Sequence, residues 1–207
     1  VLPFRNGLPE SERYLVDGIA VEVRDELARI GALIVIGSTV SDEYRDARKT
    51  PQEIGSELRA DALLTGTVRW SGDGAARRLM VEPELIDTRT GTPSWRGAIE
   101  QEESALPRLP GAVAAQAVAA LGGAPSAAEQ AGLVTPRTTS AEAFRAYLRG
   151  RHPVDTDPAT LRGVIREFEQ AVPLDSMFAE AWGPLSSAST RLFVGGNRDP
   201  KVAVRAT

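Results

Sequence analysis

The sequence predicts a mixed α/β fold over its first 121 residues and an all-helical part after them. Three observations carry that expectation. Apolar runs of strand length alternate with a helix-period stripe in the first half. Three consecutive strand-like runs, "ALLTGTVRW", "RRLMVEPELID" and "SWRGAIEQEE", are joined by glycine-rich turns. From residue 139 onward every apolar pattern has the helical period.

In order, "VLPF" at 1–4 is a short apolar run suited to a buried strand. A helix starts near Glu12, because Leu15, Ile19, Val23 and Leu27 recur every fourth residue and Ile30 closes the stripe. Gly31 stands where helices tend to end. "LIVIG" at 33–37 then predicts a second buried strand. Thr50, Pro51 and Glu53 have the spacing of an N-cap, a first helical residue and a capping box. In the strands that follow, Pro83 predicts an edge position or a bulge, since proline donates no ladder hydrogen bond.

The glycines of "TGTVRWSGDG" raise the question of a phosphate loop. Such a loop leads from a strand into a helix N-terminus, whose free amides hold the anion. Here another strand follows, so the glycines are hairpin chemistry. Beyond the strands, Leu106, Leu109, Val113, Val118 and Leu121 predict a helix with Pro107 and Pro110 at its ragged start. Residues 122–138 read as a linker, rich in small residues.

The last part, 139–207, offers three helical stripes: Phe144, Tyr147 and Leu148; Leu161, Val164, Ile165 and Phe168; and Phe178, Ala181, Trp182 and Leu185. The stretch "VIREFEQAVPLDSMFAEAWGPLSSA" resembles a tetratricopeptide repeat, with Ile165, Phe168, Ala171, Ala181 and Leu185 at matching positions. Ser176 replaces that family's usual proline, and Pro173 is a departure expected to shorten or bend its helix. A lone repeat cannot bury its faces, so an array continuing past Thr207 is expected.

Over residues 1–121 the order of elements, with Asp17-Gly18, Asp61-Ala62, Gly66, Leu85-Ile86-Asp87, Thr90-Gly91 and Trp95, resembles the TolB amino-terminal-like domain of bacterial regulatory proteins. That resemblance implies a non-catalytic sensing or docking module of a larger protein that carries a kinase, cyclase or winged-helix domain upstream. It implies a protein or peptide partner, with a small ligand held in the α/β part as the alternative. It also favours the outer side of the bacterial cytoplasmic membrane over the cytoplasm.

Composition narrows the chemistry. Cysteine is absent, His152 is the single histidine, and the formal charge is −4. A thiol nucleophile and a structural zinc site are excluded, and no basic excess marks nucleic acid as a partner. No run is long and apolar enough for a membrane-spanning helix. No cofactor is expected and no catalytic group can be assembled.

Candidate residues remain. Ser38, Thr39 and Ser41 follow a predicted strand, at the kind of loop where open α/β sheets bind ligands. Arg162, Arg166 and Glu169 are polar positions of a repeat helix and candidates for partner contact. Asp17 and Asp61 read as local capping or turn residues. Glu100, Glu102 and Glu103 read as a solvated edge facing Arg69, Arg77, Arg78 and Arg96 across the hairpins. Trp182 reads as core, whereas Trp70 and Trp95 suit either core or partner contact.

Overall fold

The computed structural model describes residues 1–37, 41–45, 48–74, 77–151 and 157–194. The chain divides into two units, Val1–Pro136 and Arg137–Thr207.

The first unit is a mixed sheet with flanking helices. Its strands are β1 (Arg5–Gly7), β2 (Ala62–Ser71), β3 (Arg78–Asp87), β4 (Thr92–Arg96) and β5 (Ile99–Glu102). The β2–β3 hairpin keeps register over ten residue pairs, from Ala62 opposite Asp87 to Ser71 opposite Arg78. β1 joins β2 in parallel, while β4 and β5 pair successive stretches of the same edge of β3. The turn after β2 uses Gly72 and Gly74 at φ of 73° and 59°, as the hairpin reading of the glycines requires.

Of the two positions expected for Pro83, an edge or a bulge, the edge is not found: Pro83 lies on an interior strand, two residues before a register shift between Leu85 and Ile86. Its carbonyl accepts a hydrogen bond from Gly97 N–H at 3.0 Å. A strand residue's N–H and C=O share one side. The missing N–H therefore faces the break between β4 and β5, where no ladder bond is lost.

Two further expectations are corrected at the start of the chain. The ladder of β1 starts at Arg5, after "VLPF", although Leu2 N–H already reaches Leu64 O at 2.8 Å. "LIVIG" is extended but pairs with no strand among the described residues, and Ile34 is fully exposed. Apolarity predicts burial, but a strand forms only where a neighbour comes within hydrogen-bond reach.

The helices of this unit are α1 (Arg13–Leu27), α2 (Pro51–Leu58), α3 (Leu109–Ala120) and α4 (Ala127–Val134). The stripe read from the sequence, Leu15, Ile19, Val23 and Leu27, is buried, and α1 packs on α3 through it. Thr50 and Glu53 form the predicted capping box of α2. Gly55 sets α2 on the sheet: a Cβ there would lie 2.3 Å from Thr88 Cβ.

The stretch read as a linker contains α4. Ser126 and Glu129 make a second capping box, and Glu129 also accepts Gly31 N–H at 2.7 Å. Leu133 is buried. Next to it, a Cβ on Gly111 of α3 would lie 2.0 Å from Leu133 O. The small residues that suggest flexibility thus allow backbones to meet.

The second unit is helical: α5 (Ala141–Gly150), α6 (Pro158–Leu174) and α7 (Ala179–Val194). Ser140 and Asp157 cap α5 and α6 through their side-chain oxygens. The core is aromatic, with Tyr147 4.8 Å from Phe178 and 6.0 Å from Phe168 between ring centroids. Gly150 permits this, since a Cβ there would lie 2.8 Å from the Phe168 ring. Helix α6 runs through Pro173 to Leu174, so the proline stands within its last turn. Trp182 is 48% exposed, which corrects the core reading. Its indole N–H donates to Ser176 O at 3.1 Å, over the α6–α7 turn.

Gly111→Ala should destabilise the α/β unit by about 1–3 kcal/mol, the usual cost of overpacking against backbone that cannot yield. Thermal unfolding measures it, and an unchanged Tm would show that α4 does not hold its place on α3.

Candidate functional site

The first unit contains a cleft of about 450 Å³. One wall is the unpaired segment 32–36, which follows α1 after a turn closed by Leu33 N–H on Ile30 O at 2.9 Å. The facing wall comprises Val1, Leu2 and the stretch from Leu58 to Leu64. Most of the lining is leucine, isoleucine, valine and alanine, while Ser41, Arg59 and Asp61 supply polar side chains.

The polar residues have identifiable local causes. Arg59 caps α2 in the left-handed conformation, φ 51° and ψ 43°, and is the one non-glycine residue with positive φ among those described. Glycine is usual at such a helix end. The next residue, Ala60, donates its N–H to Gly55 O at 2.9 Å, and Asp61 O accepts Thr88 N–H at 3.1 Å. Asp61 is thus a turn residue, as read from the sequence, and it also lines the cleft.

Of the three predicted ligand-edge residues, Ser41 lines the cleft. Its hydroxyl donates to Gly37 O at 3.2 Å and its N–H points to the same oxygen at 3.3 Å. Ser41 therefore shapes the wall with its donors already engaged. Ser38 and Thr39 lie outside the described residues, as does His152.

Asp17 departs from the local-capping reading. It stands inside α1, buried, with Arg45 Nη1 at 2.6 Å and Arg13 Nε at 3.6 Å. The Arg45 pair ties the segment after Ser41 to α1. Nothing in the one-dimensional pattern couples positions 17 and 45, so sequence reading missed it.

The acidic strand end is also resolved. Glu102 pairs with Arg78 at 2.9 Å and Glu103 with Arg77 at 3.5 Å, as expected across the hairpins. Arg69 and Arg96 instead meet Glu82 and Glu84 of β3. Arg77 further stacks 4.2 Å over the Trp70 ring, whose N–H donates to Glu12 at 2.6 Å. Trp70 is therefore a fastener between the hairpin and the approach to α1.

In the second unit, Arg162, Arg166 and Glu169 share one stripe of α6, with the arginines exposed and Glu169 half-buried. Leu174, Met177 and Trp182 add exposed apolar surface around the α6–α7 turn.

No family model matches the chain. Over 97 residues, 46% of this chain, it is 33% identical to "Putative adenylate cyclase 3" of Rhizobium meliloti (strain 1021). The chain covers 16% of that relative's length. Among solved structures, lipoprotein GNA1162 from Neisseria meningitidis aligns with a TM-score of 0.40 and 19% identity, covering 57% of this chain and 95% of that one. Likeness at that level bears on neither fold nor function. Among the described residues, no helix is long and apolar enough to cross a membrane.

Two measurements test the frame of the cleft. Asp17→Ala should cost about 1–3 kcal/mol in thermal unfolding, because it removes the carboxylate that Arg45 meets at 2.6 Å beside α1. A loss near zero would mean that the pair holds nothing.

Glu129 gives a pH test. Its hydrogen bonds from the Ser126 side chain and from the Gly31 and Ser126 backbones hold its carboxyl below the usual range. A lowered folded value means a contribution fully present above the ordinary glutamate range and lost as pH falls through the lowered one. The Tm gap between the parent chain and Glu129→Gln should therefore be widest at neutral pH and shrink in acid. A gap that stays constant to pH ~3 would refute it.

Proposed function

We propose that this chain is a non-catalytic docking module of a larger bacterial regulatory protein. In this reading a TolB-like α/β unit precedes tetratricopeptide-like helices, and the module takes a protein or peptide partner. The observation that carries it is the surface of the second unit. Helix α6 buries Leu161, Ile165 and Phe168 while presenting Arg162 and Arg166 to solvent, and Leu174, Met177 and Trp182 are exposed around the α6–α7 turn. Aromatic and arginine side chains of that kind anchor interfaces. The similarity to a cyclase-named protein, over a small part of that protein's length, supports a regulatory setting. The TolB-like resemblance favours the outer side of the cytoplasmic membrane.

The test is affinity capture from a bacterial extract with the parent chain and with an Arg162→Glu/Arg166→Glu variant, both checked for equal Tm. A protein held by the parent and reduced at least about tenfold by the variant is the expected outcome, equivalent to ~1.4 kcal/mol. Capture that is equal for both removes α6 as the docking face.

A second reading, a small-ligand sensor, is favoured by the cleft, whose volume lies within the usual range for ligand sites. A ligand present at ~100 times its dissociation constant should then add about 2.7 kcal/mol of stability.

A further inference from the structure

Residues 34–36, Ile-Val-Ile, combine two properties. They are apolar and extended along the cleft, with Ile34 fully exposed. Their backbone N–H and C=O groups also make no hydrogen bond to another described residue, although the flanking Leu33 N–H and Gly37 C=O are bonded.

An apolar wall alone would suit any apolar molecule. A wall that also offers unbonded donors and acceptors at strand spacing is complementary to a ligand with a backbone of its own. An extended polypeptide matches both, because its amides repeat at the same ~3.3 Å and alternate side chains face one way.

We infer that the cleft is an acceptor for one extended apolar peptide strand, which pairs with residues 34–36 and sets alternate side chains against the leucines of the facing wall. The inference rests on the peptide-docking reading for its class of partner, but places the contact in the α/β unit and makes no use of α6. Leu2 and Leu58, both half-buried on that wall, would take the inserted side chains.

The test supplies such a strand at high effective concentration. Val1 lines the cleft, so four residues fused ahead of it are delivered to the site without a separate binding step. Three fusions to residues 1–207 are compared: Thr-Val-Thr-Val, Thr-Pro-Thr-Pro and Gly-Ser-Gly-Ser. Amide hydrogen exchange at Ile34, Val35 and Ile36 is read by NMR, with overall folding checked by circular dichroism.

The expected result is exchange slowed at least about tenfold by Thr-Val-Thr-Val alone. Equal exchange in all three overturns the inference. So does equal protection by Thr-Pro-Thr-Pro, which lacks half the N–H donors and would show that filling, rather than pairing, is what the cleft selects. Equivalent protection of the unfused chain by laurate would overturn it in favour of a small apolar ligand. None of these outcomes involves Arg162 or Arg166, so failure here is separate from failure of the α6 docking face.

Discussion

The ten-residue pairing of β2 with β3 is the constraint on which the α/β unit depends. Every other strand pairs with one of these two: β1 with β2, and β4 and β5 with β3. One face of the hairpin also supplies Leu79, Val81 and Leu85, buried at alternate positions. A slip of one residue would turn that set to the opposite face. The register is held at its turn end by Trp70 and Arg77, which reach Glu12 and Glu103, and at its other end by Thr88 bonded to the backbone of Ala60 and Asp61.

Around this hairpin the helices are placed by close backbone approach more than by large side chains. Gly55 lies against Thr88, and Gly111 against the Leu133 carbonyl. At both sites the absent Cβ sets the interaxial distance, so a methyl group is enough to disturb it. Glu129 adds a polar tie, since one carboxylate closes the start of α4 and also holds Gly31 at the turn after α1. That turn launches the segment lining the cleft. The helical unit follows another logic, in which Tyr147, Phe168 and Phe178 fill the space between helices and Asp175 orders the α6–α7 turn through Thr138 and Met177 N–H.

The cleft follows from this arrangement rather than from any motif. It opens where α1 has ended, α2 has stopped at a left-handed arginine and β1 has not yet begun its ladder. Of these stops only the end of α1 carries a sequence signal, Gly31, which lies in the turn that follows the helix. Arginine at a left-handed helix end gives no warning, because glycine is the residue that signals such a turn.

The sequence by itself determined the elements whose signals are local. The α1 stripe, the Thr50–Glu53 capping box, the glycine turn of the hairpin and, Trp182 apart, the apolar faces of the last three helices follow from periodicity and backbone preference, which act within a few residues. Tertiary structure alone decided what depends on distant neighbours. Asp17 became an ion-pair partner because Arg45 folds back onto α1, "LIVIG" joined no strand among the described residues, and small-residue stretch 127–134 became a docked helix because Gly111 gave it room. Ser41, read as a hydroxyl at a binding edge, does reach the cleft, but with its donors bonded to Gly37. Composition and spacing specify which residues can bond; only the folded chain fixes which partners they meet.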